Sequence, residues 1–185
     1  MKKVKLFKIH SDHEKLLRER CSEMTLPLKD EEKQLLFDMV DYLKASQDED
    51  FLEKHDIRSG VGLAAPQIGI NKRFFAVYYI NEDGKEIKYG LVNPKIVMSS
   101  VKKCALRGGE GCLSVDKDHQ GYVYRYFKIT MRAYDVFQDK VIDITAKGYD
   151  AIVLQHEYDH LDGVLFYDRI NKENPIQEIE NSVLI

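Results

Sequence analysis

Two histidines four residues apart, with a glutamate after the first, stand at His156-Glu157-Tyr158-Asp159-His160. On a helix they project from one face. They can then grip one metal ion while Glu157 reaches a water on that ion. The pattern predicts a metal-dependent hydrolase. Catalytic centres of this kind usually have three protein ligands and one open position, so the third ligand decides which hydrolase this is.

Three sources for that ligand can be weighed. The long metalloprotease motif places a third histidine six residues after the second; here the glycine of that motif is present as Gly163, but Phe166 stands in the histidine's place. A zincin-type metallo-endopeptidase can instead take a glutamate from farther along. Glu173, Glu178 and Glu180 are available, in a polar stretch whose plain reading is solvated charge. The third source lies upstream, in Glu110-Gly111-Cys112-Leu113-Ser114, just after Gly108-Gly109. A thiolate binds metal strongly once deprotonated, and one Cys with two His makes an open catalytic set. The other cysteines, Cys21 and Cys104, read as small buried hydrophobes.

These residues need a scaffold to position them. The 185 residues, 44% hydrophobic and 32% charged, suit one soluble globular domain over 1–185, with 172–185 as a C-terminal tail. A net charge of −3 gives no reason to expect direct nucleic-acid or anionic-membrane binding. No apolar run comes after the basic start Met1-Lys2-Lys3-Val4-Lys5, so no secretory signal is expected, and no stretch has the length of a membrane span. The low, odd cysteine count then fits reduced thiols in the cytoplasm.

Apolar spacing at Leu35, Leu36, Met39, Val40 and Leu43 predicts a helix over 30–46, then a polar excursion or short helix over 46–59. Strands are expected at Arg73–Ile80, Ile87–Val92, Lys95–Met98, Tyr122–Thr130, Met131–Phe137 and Val141–Thr145, with turns at Asn81–Gly84 and Gln138-Asp139. Their short connections favour antiparallel pairing. A main helix is expected at Tyr149–Leu161, stopped by Gly163. The expected fold is α+β: antiparallel sheets packed around a central helix of the C-terminal half, which carries the metal motif.

Three motifs together resemble those of the peptide deformylases: Gly60-Val61-Gly62-Leu63-Ala64-Ala65-Pro66-Gln67-Ile68-Gly69, then Glu110–Ser114, then Gln155–His160, in the family's order and at compatible spacing. The long segment before the first motif, with an insertion near 46–58, resembles the longer bacterial class of Gram-positive organisms. The start at Ile9–Glu14 departs from the family's pattern, and the segment Lys172–Ile185 matches nothing in it. The resemblance implies removal of the formyl group from the N-formylmethionine of nascent polypeptides in the cytoplasm, with the ribosome near its exit tunnel as a further partner. It implies Cys112, His156 and His160 as ligands of one divalent metal, Fe(2+) foremost, with Zn(2+), Ni(2+) or Co(2+) able to substitute. It also implies Glu157 as general base and acid, and Gln67 with the backbone N–H of Leu113 as donors to the oxyanion.

The residue types suit that reaction. Gly60, Gly62 and Gly111 remove side-chain bulk where backbone groups approach a ligand, and an extended peptide could pair between the two motif segments as an added strand. Gly60–Ala65 also fits a dinucleotide-loop pattern, which needs a strand before it and a helix after it. Here Glu53–Ser59 on the near side is polar, and Pro66 interrupts the far side. Ile152 and Val153, four and three residues before His156, read either as core or as the wall of a pocket for the methionine side chain.

Overall fold

The computed structural model describes residues 4–185; Met1–Lys3, part of the basic start, lie outside the described residues. In chain order the helices are α1 (Asp30–Ala45), α2 (Glu49–His55) and α3 (Tyr149–Leu161). The strands are β1 (Gly62–Ala64), β2 (Phe74–Ile80), β3 (Glu86–Ser99), β4 (Lys103–Ala105), β5 (Arg125–Tyr126), β6 (Lys128–Asp135), β7 (Lys140–Lys147) and β8 (Ser182–Leu184). Five strands form an antiparallel sheet in the order β1-β2-β3-β6-β7, and three form a second sheet in the order β5-β4-β8. The fold is α+β, as its sequence pattern predicts.

Strand β2 shows how the layers arise. Phe74, Ala76 and Tyr78 point into a core shared with Leu36, Met39 and Leu43 of α1. Phe75, Val77 and Tyr79 point into the opposite core, with Leu91, Met131, Val153 and Leu154. Alternate side chains face opposite sides of a strand, so a strand covered on both faces reads as an unbroken apolar run. Each fully buried side chain of this size contributes about 1.5–3 kcal/mol.

Local chemistry sets the boundaries. Helix α1 starts where the Lys29 N–H donates to the Glu32 carboxylate (2.8 Å). Helix α2 starts where Asp48 accepts from the Phe51 N–H (2.9 Å). The turn after β2 uses Gly84 at φ 72°, and the turn after β6 uses Asp139 at φ 52°.

Several strand limits differ from those expected. Ile87–Val92 and Lys95–Met98 belong to one strand, β3, whose register shifts between Val92 and Lys95. Asn93 absorbs the extra residue at φ 50°, and its side chain accepts from the Met24 N–H (2.8 Å) and donates to the Met24 carbonyl (2.9 Å). The expected strand Tyr122–Thr130 divides at Phe127, where the chain passes from the small sheet to the large one. There the Gln155 side chain accepts from the Tyr126 N–H (3.0 Å) and donates to the Tyr126 carbonyl (2.9 Å), in the manner of a neighbouring strand. The segment read as a polar tail is exposed through Asn181, but Ser182–Leu184 then joins the small sheet as β8. Its partner is β4 and the pairing is parallel, an exception to the antiparallel expectation.

Candidate metal centre

Helix α3 lies between the two sheets and is buried along most of its length. Its spacing puts His156 and His160 on one face. The connection from Leu106 to Tyr124, between β4 and β5, brings Cys112 to that face. One ligand atom from each of Cys112, His156 and His160 lies within 4.8 Å of the others, and among the described residues no other such cluster of His, Cys, Asp and Glu occurs. Cys112 Sγ is 3.3 Å from His160 Nε2.

Each imidazole is turned to offer a nitrogen. His156 Nδ1 donates to Glu110 Oε2 (2.8 Å), which leaves Nε2 to face the cluster. Such a bond fixes the tautomer and orientation of a ligating histidine. Burial opposes ionisation of Glu110, but hydrogen bonds from His156 and Arg125 outweigh it and hold its pKa at about 2. Burial also opposes the charged form of His156; bonds to Cys112 and Glu110 prevail and raise its pKa to about 10. Burial, then the charges of His156 and Arg125, hold His160 well below its ordinary value, so it is neutral and able to ligate.

Glu157 is 4% exposed. Burial raises its pKa to about 7, against the lowering charges of His156 and Arg125. Its Oε2 is buried with no hydrogen-bond partner among the described residues. A lone buried acceptor beside a thiol and two imidazoles is costly unless something donates to it. One sulfur and two nitrogen donors, with an unpartnered carboxylate oxygen nearby, fit a divalent transition metal with an open position.

Gln67 is 1% exposed and sits in a short 3-10 turn, Ala65–Ile68, directly after β1. Its Oε1 accepts from the Ala64 N–H (2.8 Å), which turns Nε2 toward Ser114 Oγ (3.1 Å) and Cys112 Sγ (3.5 Å). The amide donor thus faces the centre. Leu113, with the backbone N–H expected to join Gln67, is in the same loop as Cys112. Its carbonyl and that of Val115 accept from the Arg58 guanidinium.

A cavity of about 390 Å³ opens on this group. Gly62, Gly111, Ile152, Val153, Leu113 and Glu157 all contribute to its wall. The glycines act differently from one another. A side chain on Gly62 would run into Glu157 Oε1, so this glycine makes room for the carboxylate. A Cβ on Gly60 would come within 2.8 Å of the Leu113 side chain, whereas one on Gly111 would meet nothing within 4 Å.

Sequence reasoning missed a buried charge network. Arg125, 3% exposed, donates to both oxygens of Glu110 (2.6 and 2.9 Å) and to Asp159 (2.8 Å). Arg169 donates to both oxygens of Asp159 (2.6 and 2.7 Å). Two carboxylates and two guanidiniums therefore balance beneath the ligands. Asp159 lies inside the histidine motif and was the available signal; nothing in the spacing of Arg125 or Arg169 marked them.

The rival third ligands are absent from the site. Phe166 is buried with its ring stacked on that of His156, centroids 6.2 Å apart. Glu173, Glu178 and Glu180 are exposed. Cys21 and Cys104 are buried, and burial raises both thiols to about 11, as suits packing rather than chemistry. No described helix is long and apolar enough to cross a membrane.

The fold and centre define a class: metal-dependent hydrolases with a Cys-His-His set and a cleft beside a sheet edge. Comparison with known proteins specifies it further. Residues 6–175 match the family described as polypeptide deformylase, and the chain belongs to that family. It is 48% identical over 174 residues to the peptide deformylase of Oceanobacillus iheyensis, covering 94% of each chain. It is 52% identical over 169 residues to peptide deformylase 2 of Bacillus subtilis, covering 91% of each. Both are relatives from Gram-positive bacteria, in line with the resemblance to the longer bacterial class. The crystal structure of the Thermotoga maritima peptide deformylase aligns with a TM-score of 0.70 at 28% identity, over 90% of this chain and 99% of that one. A probable peptide deformylase from a Synechococcus phage aligns with a TM-score of 0.72 at 34% identity, over 89% and 100%. The endopeptidase alternative is not favoured.

Proposed function

We propose that the deformylation characteristic of this family takes place in this chain at Cys112, His156 and His160, with Glu157 moving the proton. The carrying observation is the buried, unpartnered Glu157 Oε2 beside one thiol and two imidazoles whose ligand atoms lie within 4.8 Å. Cys112, His156 and His160 would hold a divalent ion, which when bound would supply a water acidic enough to ionise near pH 7. Glu157 takes a proton at Oε2 and later hands one to the nitrogen of the leaving amine. Gln67 Nε2 and the Leu113 N–H donate to the oxygen on which charge develops; deleting such a donor costs about 2.7–4 kcal/mol in comparable sites.

The substrate's backbone pairs as an added strand along β1, an edge of the large sheet, with Gly62 on one side and Gly111 on the other. Ile152 and Val153 wall the pocket for the methionine side chain. Mixed sulfur and nitrogen ligation accommodates several metals; we assign Fe(2+), with Zn(2+), Ni(2+) and Co(2+) as substitutes. Formylated chains are met where they are made, so we place the enzyme in the cytoplasm, near the ribosome's exit.

Anaerobic purification, metal analysis and a formyl-Met peptide assay test this reading. We expect one iron per chain, loss of activity in air, and loss of both metal and activity in Cys112→Ala. A Cys112→Ala protein that keeps metal and turnover would overturn the ligand assignment. A fully active, air-stable zinc enzyme would overturn the iron assignment alone.

A further inference from the structure

The match to the family ends at residue 175, while the chain runs on to Ile185. From Pro175 onward the chain bonds to the Leu106–Tyr124 connection that carries Glu110, Cys112 and Leu113, and to its base. That connection is longer than the roughly 12–15 residues above which unstructured loops become uncommon in compact domains. Its base is a hairpin of β4 and β5, and two such short strands are marginal alone; a third strand is what usually makes them stable.

Strand β8 is that third strand. Lys103, Cys104 and Ala105 pair with Ser182, Val183 and Leu184. The Lys103 N–H donates to the Asn181 carbonyl (2.9 Å). The Ile185 N–H donates to the Ala105 carbonyl (3.0 Å), and the Ile185 carbonyl accepts from the Arg107 N–H (2.8 Å). The same segment also holds the loop's other end. The Tyr122 N–H donates to the Pro175 carbonyl (2.8 Å), and the Tyr124 hydroxyl donates to the Gln177 carbonyl (3.0 Å). At Gly121 (φ 144°) the approach is so close that a Cβ would collide with Ile170 and lie 3.0 Å from the Pro175 carbonyl.

We propose that Pro175–Ile185 is a positioning strap for the metal centre: by tying down both ends of the Leu106–Tyr124 loop, it holds Cys112 at ligating distance from His156 and His160. The proposal rests on Cys112 being a metal ligand. Its physical basis is population: a ligand held in the competent position for only a fraction of the time weakens apparent affinity by that fraction. The histidines need no such help, because α3 is fixed by burial on both sides.

The test uses the full chain with Tyr124→Phe, Ile185→Pro and the pair together. Amide exchange in the metal-free proteins is monitored over Leu106–Ser114 and over Tyr149–Leu161, and zinc affinity is measured by competition with a chelating dye. In the double variant we expect loop exchange to rise about tenfold with helix exchange unchanged, and zinc affinity to fall by about the same factor. Wild-type values for loop exchange and affinity would overturn the strap, as would equal acceleration in loop and helix. Tyr124→Phe removes one exposed hydroxyl, so it reports even if the proline variant unfolds. A wild-type protein that binds no zinc would instead overturn the Cys-His-His assignment on which the strap depends.

Discussion

Helix α3 brings His156, Glu157 and His160 to the centre by local geometry, whereas the Leu106–Tyr124 loop brings Glu110, Cys112 and Leu113 by being held from outside. The helix needs only its 3.6-residue period and an apolar environment. The loop needs Arg125 under Glu110, Arg58 on the Leu113 carbonyl, and β8 against β4. The comparison teaches that a three-ligand centre can be half a sequence motif and half a tertiary accident of partners far apart in the chain. Mutations in the two halves should therefore fail in different ways.

The largest effect belongs to the helix. Glu157→Gln keeps the shape and removes the proposed proton acceptor, and general acid–base groups are worth about 10²–10⁴ in rate. We expect kcat to fall by that factor while metal content and thermal midpoint stay close to the wild type. Loss of metal in this variant would make Glu157 part of the ligand cage and erase the division between helix and loop.

Arg125 tests the loop's foundation. It binds carboxylates of both halves, Glu110 from the loop and Asp159 from the helix. Removing one partner of a buried ionic group costs about 3–5 kcal/mol, because a charge is left without compensation. Arg125→Met should lower stability by that amount in chemical denaturation. A cost below about 1 kcal/mol would show that Arg169 alone satisfies the network.

The same division explains what the sequence could reveal. The α3 limits, the candidate ligand histidines and the idle Phe166 can be read from spacing within a dozen residues. Cys112 and Gln67 were accessible only as members of motifs, since a lone Cys or Gln is more often packing or surface. Arg125 was not accessible: its position in β5 depends on Gln155 bonding the Tyr126 backbone, which no local pattern encodes. Strand β8 was hidden for a related reason. Ser182, Val183 and Leu184 are only three residues at the end of a polar stretch, and their pairing with β4 depends on a contact across the fold.

A smaller effect is expected at Glu110. Partners that orient a ligating histidine are worth about 10–100-fold in metal affinity. Glu110→Gln keeps a hydrogen-bond acceptor but loses the charge that holds His156 and Arg125. We expect cobalt or zinc affinity to fall within that range, with the Gln67 contacts to Ser114 and Cys112 retained. An unchanged affinity would mean that helix packing alone aims the His156 ring, which would make the helix half still more self-sufficient.

The smallest effect repeats the chemistry of Arg125 where burial is absent. Arg132 donates to both oxygens of Asp143 (2.7 and 2.8 Å), a fork like that on Glu110, but the two side chains are 57% and 46% exposed on paired strands β6 and β7. The hydrogen bond from Arg132 holds the Asp143 carboxyl below its usual range. A carboxyl lowered in the folded state stabilises above its unfolded pKa, about 3.9, and that contribution disappears as pH falls through the lower folded value. Water and salt screen such a pair. Arg132→Met should therefore shift the denaturation midpoint slightly at pH 7 and low salt, and not at all in 1 M salt or near pH 2. A shift matching that of Arg125→Met would show that fork geometry, rather than burial between loop and helix, governs both pairs.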